Sequence, residues 1–150
     1  MKPTNSGPAK LYEVDFCEWS RRTATLLREK RFDELQLPEL AEEVADMGKR
    51  DRREARSRSI VLLTQLLKCK AQPELRAGSN ALAIIADQRE QVALLLEDSP
   101  SIHKMLEHEL PLLFARASRV VVKETGAAYA PPADCPFTLA EILNSDFLPE

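Results

Sequence analysis

The apolar run at residues 60–67, Ile-Val-Leu-Leu-Thr-Gln-Leu-Leu, constrains the fold of this chain most strongly. In a helix this run places apolar groups nearly all round the cylinder, which is typical of a buried helix. It directly follows residues 49–58, which carry six positive and two negative charges. The two segments together predict one helix over about 49–70, buried in its C-terminal half and exposed on one side in its N-terminal half.

Apolar residues three and four positions apart predict further helices along the chain. Thr138 and Glu141 also have the spacing of a capping box, which predicts a short terminal helix. The sequence therefore predicts an all-α fold, a compact bundle of about five helices plus a short C-terminal helix. The other long helices are expected at about 12–30, from Pro38 to an end or bend at Gly48, at about 80–98, and from Ser99-Pro100 with a kink or break at Pro111.

The predicted second helix has an apolar stripe and an acidic remainder. The stripe consists of Leu37, Leu40, Val44 and Met47. The acidic residues Glu39, Glu42, Glu43 and Asp46 fall on its other faces. The segment 33–47 has six carboxylates and no basic residue, so it can neutralise the basic segment that follows.

Length and composition predict a single helical domain over 11–150, after a disordered tail at 1–10. A chain of 150 residues that is 44% hydrophobic has the usual size of one domain. The three cysteines, Cys17, Cys69 and Cys135, are far apart and odd in number, which argues against a disulfide framework or a zinc knuckle. The first eight residues lack the apolar core of a secretory signal, and the longest apolar run is too short to span a membrane. We therefore expect a cytoplasmic protein that has no membrane association.

The common catalytic and cofactor motifs are absent from the sequence. There is no P-loop, no GxSxG elbow and no HExxH pair, and the chain has only four glycines. The two histidines, His103 and His108, are five positions apart and would point about 140° apart on a helix. His103 can instead pair with Glu107 one turn later. The sequence predicts no cofactor and no metal, and it favours a protein that is not an enzyme.

A candidate basic surface is formed by Lys49, Arg50, Arg53 and Arg56, which lie opposite the packing side of the third helix. Side chains at these steps could contact successive phosphates of a nucleic acid. Asp51 and Glu54 dilute the charge, and no aromatic residue is interleaved for base stacking. The alternative is a solvated helix face with intramolecular ion pairs.

A second candidate site is a polar network between helices. Asp51, Arg58 and Arg89 fall on apolar seams, where an unpaired charge would be costly. The acidic residues Glu42 and Glu43 of the second helix are candidate partners. Such a network would either fix the register of the helices or form a polar pocket, and an enzyme would need Glu43, Arg58 and Arg89 to converge on a cavity.

Four short motifs follow one another along the chain: Tyr12-Glu13-x-Asp15-Phe16-x-x-Trp19, Leu40-Ala41-Glu42-Glu43-Val44-x-x-Met47-Gly48, Leu62-Leu63-x-x-Leu66-Leu67-Lys68 and Cys135-Pro136-Phe137-Thr138-Leu139. Their order and spacing resemble those of the bacterial family called domain of unknown function 29. The similarity covers about 11–149 and implies a compact all-helical domain with no established activity. Family members often have a histidine where Gln65 stands and a tryptophan where Asn80 stands, so a site built on those groups would be altered.

Two functional hypotheses follow from these observations. The first is a non-catalytic protein–protein interaction module, whose partner is unknown or is a second copy in a homodimer. It is motivated by well-formed apolar stripes in a chain without catalytic motifs. The alternative is a nucleic-acid-binding helical protein that uses the basic face at 49–58.

Overall fold

The computed structural model describes residues 10–78, 80–126 and 129–150. These residues form α-helices and one 3₁₀ turn and contain no strand, so the predicted all-α class with a short C-terminal helix is confirmed. None of the described helices is long and apolar enough to cross a membrane. The helices are α1 (Leu11–Val14), α2 (Phe16–Arg28), the 3₁₀ turn (Phe32–Glu34), α3 (Leu37–Ala71), α4 (Leu75–Gly78), α5 (Ala81–Asp98), α6 (Ser101–Thr125) and α7 (Leu139–Leu143).

The chain divides into two compact units, Met1–Lys49 and Arg50–Glu150, and the boundary falls within α3. The single domain expected for 11–150 remains a prediction. Apart from Lys10, the predicted tail lies outside the described residues.

The expected helix end at Gly48 is wrong. Helix α3 runs without interruption from Leu37 to Ala71, so the predicted second and third helices are one element. A glycine inside a helix costs only about 1 kcal/mol relative to alanine. The flanking residues are mostly Ala, Glu, Met, Lys and Arg, which favour the helix and outweigh that cost.

Two other predicted boundaries also differ from the structure. The first helix begins with a separate turn, α1, because Asp15 caps α2 by accepting a hydrogen bond from the Glu18 amide at 3.0 Å. Of the kink or break expected at Pro111, the break is wrong, because helix α6 continues through that proline. The buried residues Leu106 and Leu113 anchor α6 on both sides of that proline, which compensates for its one missing hydrogen bond.

The core of the C-terminal unit is built around the second half of α3. Leu62, Leu63, Leu66 and Leu67 are completely buried, which confirms the prediction from the apolar run. Helices α5, α6 and α7 contact one another around this core. Other core residues are Ile85, Val92, Ile102, Leu106, Leu113, Phe114, Val121 and Ile142.

The N-terminal unit has a smaller interior, formed mainly by α2. Trp19, Thr23 and Leu26 are its buried residues. The Trp19 indole nitrogen Nε1 donates to Gln36 Oε1 at 2.9 Å, and its ring lies 4.8 Å from that of Tyr12 in an edge-on contact. These contacts hold α1, α2 and the start of α3 in place.

Candidate interaction surfaces

The N-terminal part of α3 presents an apolar surface to solvent. Leu37, Val44 and Met47 are 59%, 60% and 66% exposed. Ala41 and Ala45 are exposed beside them. We call these five residues the α3 apolar face. Of the predicted stripe, only Leu40 is half-buried.

The acidic side of the same helix segment makes the contacts within the unit. Lys10 Nζ lies 2.7 Å from Glu39 Oε1, and this bond lowers the pKa of Glu39. The Tyr12 hydroxyl donates to Glu43 Oε1 at 2.6 Å. Ionised Tyr12 would stand beside a carboxylate, so the hydrogen bond, burial and that charge raise the pKa of Tyr12 to about 12. Because α1 is held by polar contacts, the apolar side of α3 is left uncovered.

The candidate basic surface is partly occupied by ion pairs. Lys49 Nζ lies 3.0 Å from Asp46 Oδ1. Arg56 donates from Nε and Nη2 to the two carboxylate oxygens of Glu109 on α6, at 2.6 and 2.8 Å. This half-buried pair raises the pKa of Arg56 and lowers that of Glu109. Neither Lys49 nor Arg56 is free to contact phosphates without breaking its pair.

The other two residues of the basic surface, Arg50 and Arg53, line an open groove of about 550 Å³. Six of its residues come from one side of α3 and one from α5. Within it, Arg58 Nε donates to Glu54 Oε1 at 2.8 Å. We call this the α3–α5 groove, lined by Arg50, Arg53, Glu54, Ser57, Arg58, Val61 and Gln88.

The residues of the predicted polar network have separate partners. Glu43 binds Tyr12, and Arg58 binds Glu54. Arg89 is only 8% exposed, yet none of its hydrogen bonds goes to an acidic residue of α3. Glu42 is exposed and Asp51 is half-buried. No hydrogen bond or salt bridge between described residues joins any two of these five residues.

Arg89 instead binds the C-terminal segment. Its guanidinium donates to the carbonyl oxygens of Ile142, Ser145 and Phe147, at 2.9, 3.3 and 2.8 Å. Burial lowers the pKa of Arg89, and the charge of Asp146 opposes that shift. The sequence predicted that Arg89 needs a partner. It could not predict these partners, because every residue has a backbone carbonyl and the side-chain pattern does not distinguish one carbonyl from another.

The histidines and cysteines form no cluster in the described part of the chain. His103 Nδ1 lies 3.7 Å from Glu107 Oε2, as the spacing predicted. Among the described residues, no three histidine, cysteine or acidic side chains are placed to hold a metal ion. Burial raises the pKa of the Cys69 and Cys135 thiols, which disfavours the reactive thiolate form.

Sequence reasoning missed two polar groups of the α3–α5 groove. Ser57 lies four residues after Arg53, so helical spacing could have placed it on the same side. Gln88 belongs to α5, and only the packing of α5 beside α3 brings it to the groove.

The family model described as Domain of unknown function DUF29 matches residues 11–148. The chain belongs to this family. The DUF29 match covers α1 to α7 and agrees with the motifs found in the sequence. No curated protein and no solved structure matches the chain. The family description names no activity, so a function for this DUF29 domain has to be inferred from the surfaces described above.

Proposed function

We propose that this DUF29 domain is a non-catalytic protein–protein interaction module that binds through the α3 apolar face. The observation that supports the proposal is the exposure of Leu37, Val44 and Met47, each about 60% or more. A large apolar area in contact with water is typical of a surface that a partner covers.

The size of the effect fits a specific but moderate interaction. Fully burying a side chain such as Leu, Val or Met contributes about 1.5–3 kcal/mol. Since these three are already partly covered, their burial would contribute about 3–5 kcal/mol in total. Association has its own entropic cost, so a partner must also make polar contacts at the edge, where Glu42 is exposed.

The partner is an apolar surface of another protein or of a second copy of this chain. The three scattered cysteines suit the reducing cytoplasm, and the family resemblance suggests a bacterial one. We propose no cofactor, because the sequence contains no P-loop and has only four glycines.

The test compares two double variants of equal charge. Val44→Asp with Met47→Asp places two carboxylates on the α3 apolar face. Val120→Asp with Val122→Asp makes the same change at exposed valines of α6. Affinity capture from the native host should lose its specific partner with the first variant and keep it with the second. Equal capture by both would contradict the proposal, and a light-scattering mass of one chain at high concentration would exclude the homodimer.

Nucleic-acid binding by the basic face is the second candidate. The pairing of Lys49 with Asp46 and of Arg56 with Glu109 counts against it, and Arg50 and Arg53 support it. It predicts binding to DNA or RNA that weakens steeply as salt rises. A gel-shift experiment at low salt that shows no complex would exclude it.

A further inference from the structure

We propose that the α3–α5 groove binds a short, extended acidic segment of a partner polypeptide. Two carboxylates of the segment would contact Arg50 and Arg53, and an apolar side chain would lie on Val61. The inference goes beyond the proposed function and does not depend on the α3 apolar face, because the two surfaces share no residue.

The charge of the groove favours an anionic ligand. Arg50, Arg53 and Arg58 oppose the single carboxylate of Glu54. Arg58 is already bonded to Glu54, whereas no described carboxylate lies within salt-bridge distance of Arg50 or Arg53. Guanidinium groups bind carboxylates through two parallel hydrogen bonds, which are stronger than bonds between neutral groups.

The spacing of the groove residues defines the ligand further. Arg50, Arg53, Ser57 and Val61 follow steps of three and four residues, so they form a line along one side of α3. From Arg53 to Val61 this line is about 12 Å long, at 1.5 Å per residue. An extended peptide covers that distance in about four residues. Side chains alternate between the two faces of an extended peptide, so the expected ligand has two acidic residues separated by one residue, and an apolar residue four positions after the second.

The neutral groups of the groove suit a peptide better than a nucleic acid. The Ser57 hydroxyl and the Gln88 amide can bond to peptide N–H and C=O groups. Val61 is 38% exposed and offers apolar contact but no hydrogen bond. None of the lining residues is aromatic, so bases would find no stacking surface, and Glu54 would repel a continuous row of phosphates.

The experiment measures fluorescence anisotropy of the labelled peptide Asp-Ser-Glu-Ser-Gly-Ser-Leu with the protein at low salt. We expect saturable binding that weakens as salt is raised. Replacing the Asp and Glu of the peptide by Asn and Gln should weaken binding about tenfold or more. Replacing its final Leu by Ser should weaken binding several-fold. No binding of the first peptide at about millimolar protein would overturn the proposal.

Two charge-matched variants separate groove binding from general electrostatic attraction. Arg50→Glu with Arg53→Glu should abolish binding. Arg52→Glu with Arg119→Glu changes the net charge equally at exposed arginines that do not line the groove, and it should retain binding. Circular dichroism establishes that both variants are folded. Equal loss in both would overturn the proposal, as would a six-nucleotide oligothymidylate that binds the groove more tightly than the peptide.

Discussion

Replacing Arg89 by methionine should destabilise the protein and loosen its C-terminal segment. Arg89 is the only buried charged residue among those described, and its three hydrogen bonds all go to the carbonyls of residues 142–147. Methionine keeps much of the apolar stem of the side chain but removes every donor. The variant therefore tests the hydrogen bonds rather than the packing.

The expected loss is about 2–3 kcal/mol in the free energy of unfolding. The bond to the Ile142 carbonyl is buried, and a buried acceptor left without a partner costs about 1–3 kcal/mol. The Ser145 and Phe147 carbonyls are partly accessible, so water can replace the guanidinium there at about 0.5 kcal/mol each. Relief of the buried charge offsets part of this sum, since burial already lowers the pKa of Arg89.

Urea unfolding measures the global effect, and hydrogen exchange measures the local one. In Arg89→Met the amides of Asn144 and Phe147 should exchange faster, because both lie in the segment that Arg89 holds. Arg89→Lys should recover less than half of the lost stability, since an ammonium cannot reach three carbonyls as the planar guanidinium does.

The matched control is Arg119→Met, which removes an exposed arginine from α6 and should change stability by about 0.5 kcal/mol at most. If Arg89→Met were as stable as this control, and exchange at Asn144 and Phe147 were unchanged, the reasoning would be refuted.

Three further predictions concern the helices. Glu109→Gln should cost about 1 kcal/mol at neutral pH. Arg56 lowers the pKa of Glu109 from its ordinary 4.5, so the ion pair stabilises the fold fully at pH values above 4.5. In urea titrations, the difference in unfolding free energy between variant and wild type should therefore shrink as the pH falls through the lowered pKa. Thr138→Ala removes the cap of α7, where the Thr138 hydroxyl accepts from the Glu141 amide at 3.2 Å, and thermal unfolding should show a loss of about 1 kcal/mol. Gly48→Ala should raise stability by about 0.5–1 kcal/mol, since Gly48 lies inside α3; a loss would mean that a β-carbon has no room there.

The sequence predicts the helices well because their causes are local. Leu62, Leu63, Leu66 and Leu67 of the apolar run are buried as predicted, although Val61 in the same run is 38% exposed, and the Thr138–Glu141 capping box is present. Both signals depend on residues within a few positions of one another. The end expected at Gly48 is wrong because helix propensity is summed over many neighbours, and one glycine is outweighed by those around it.

The candidate surfaces depend on contacts between distant residues, which spacing alone cannot supply. Arg56 stands on the predicted basic side of α3, yet Glu109, which is 53 positions away, binds it. Helical spacing places Arg56 on the same side as Arg53, which lines the open α3–α5 groove. The positions of residues around a single helix therefore cannot distinguish Arg56, which is paired with Glu109, from Arg53, which lines the groove.

The two apolar stripes of α3 have the same residue spacing but differ in solvent exposure. Leu37 and Val44 have the helical spacing of Ala55 and Leu62, seven residues apart in each case. The first pair is about 60% exposed and the second is fully buried. Residue spacing predicts that one side of a helix is apolar, but it does not predict whether another part of the chain packs against that side. In the N-terminal unit, Lys10 and Tyr12 bond to Glu39 and Glu43 on the acidic side of α3, so these contacts do not cover the apolar side.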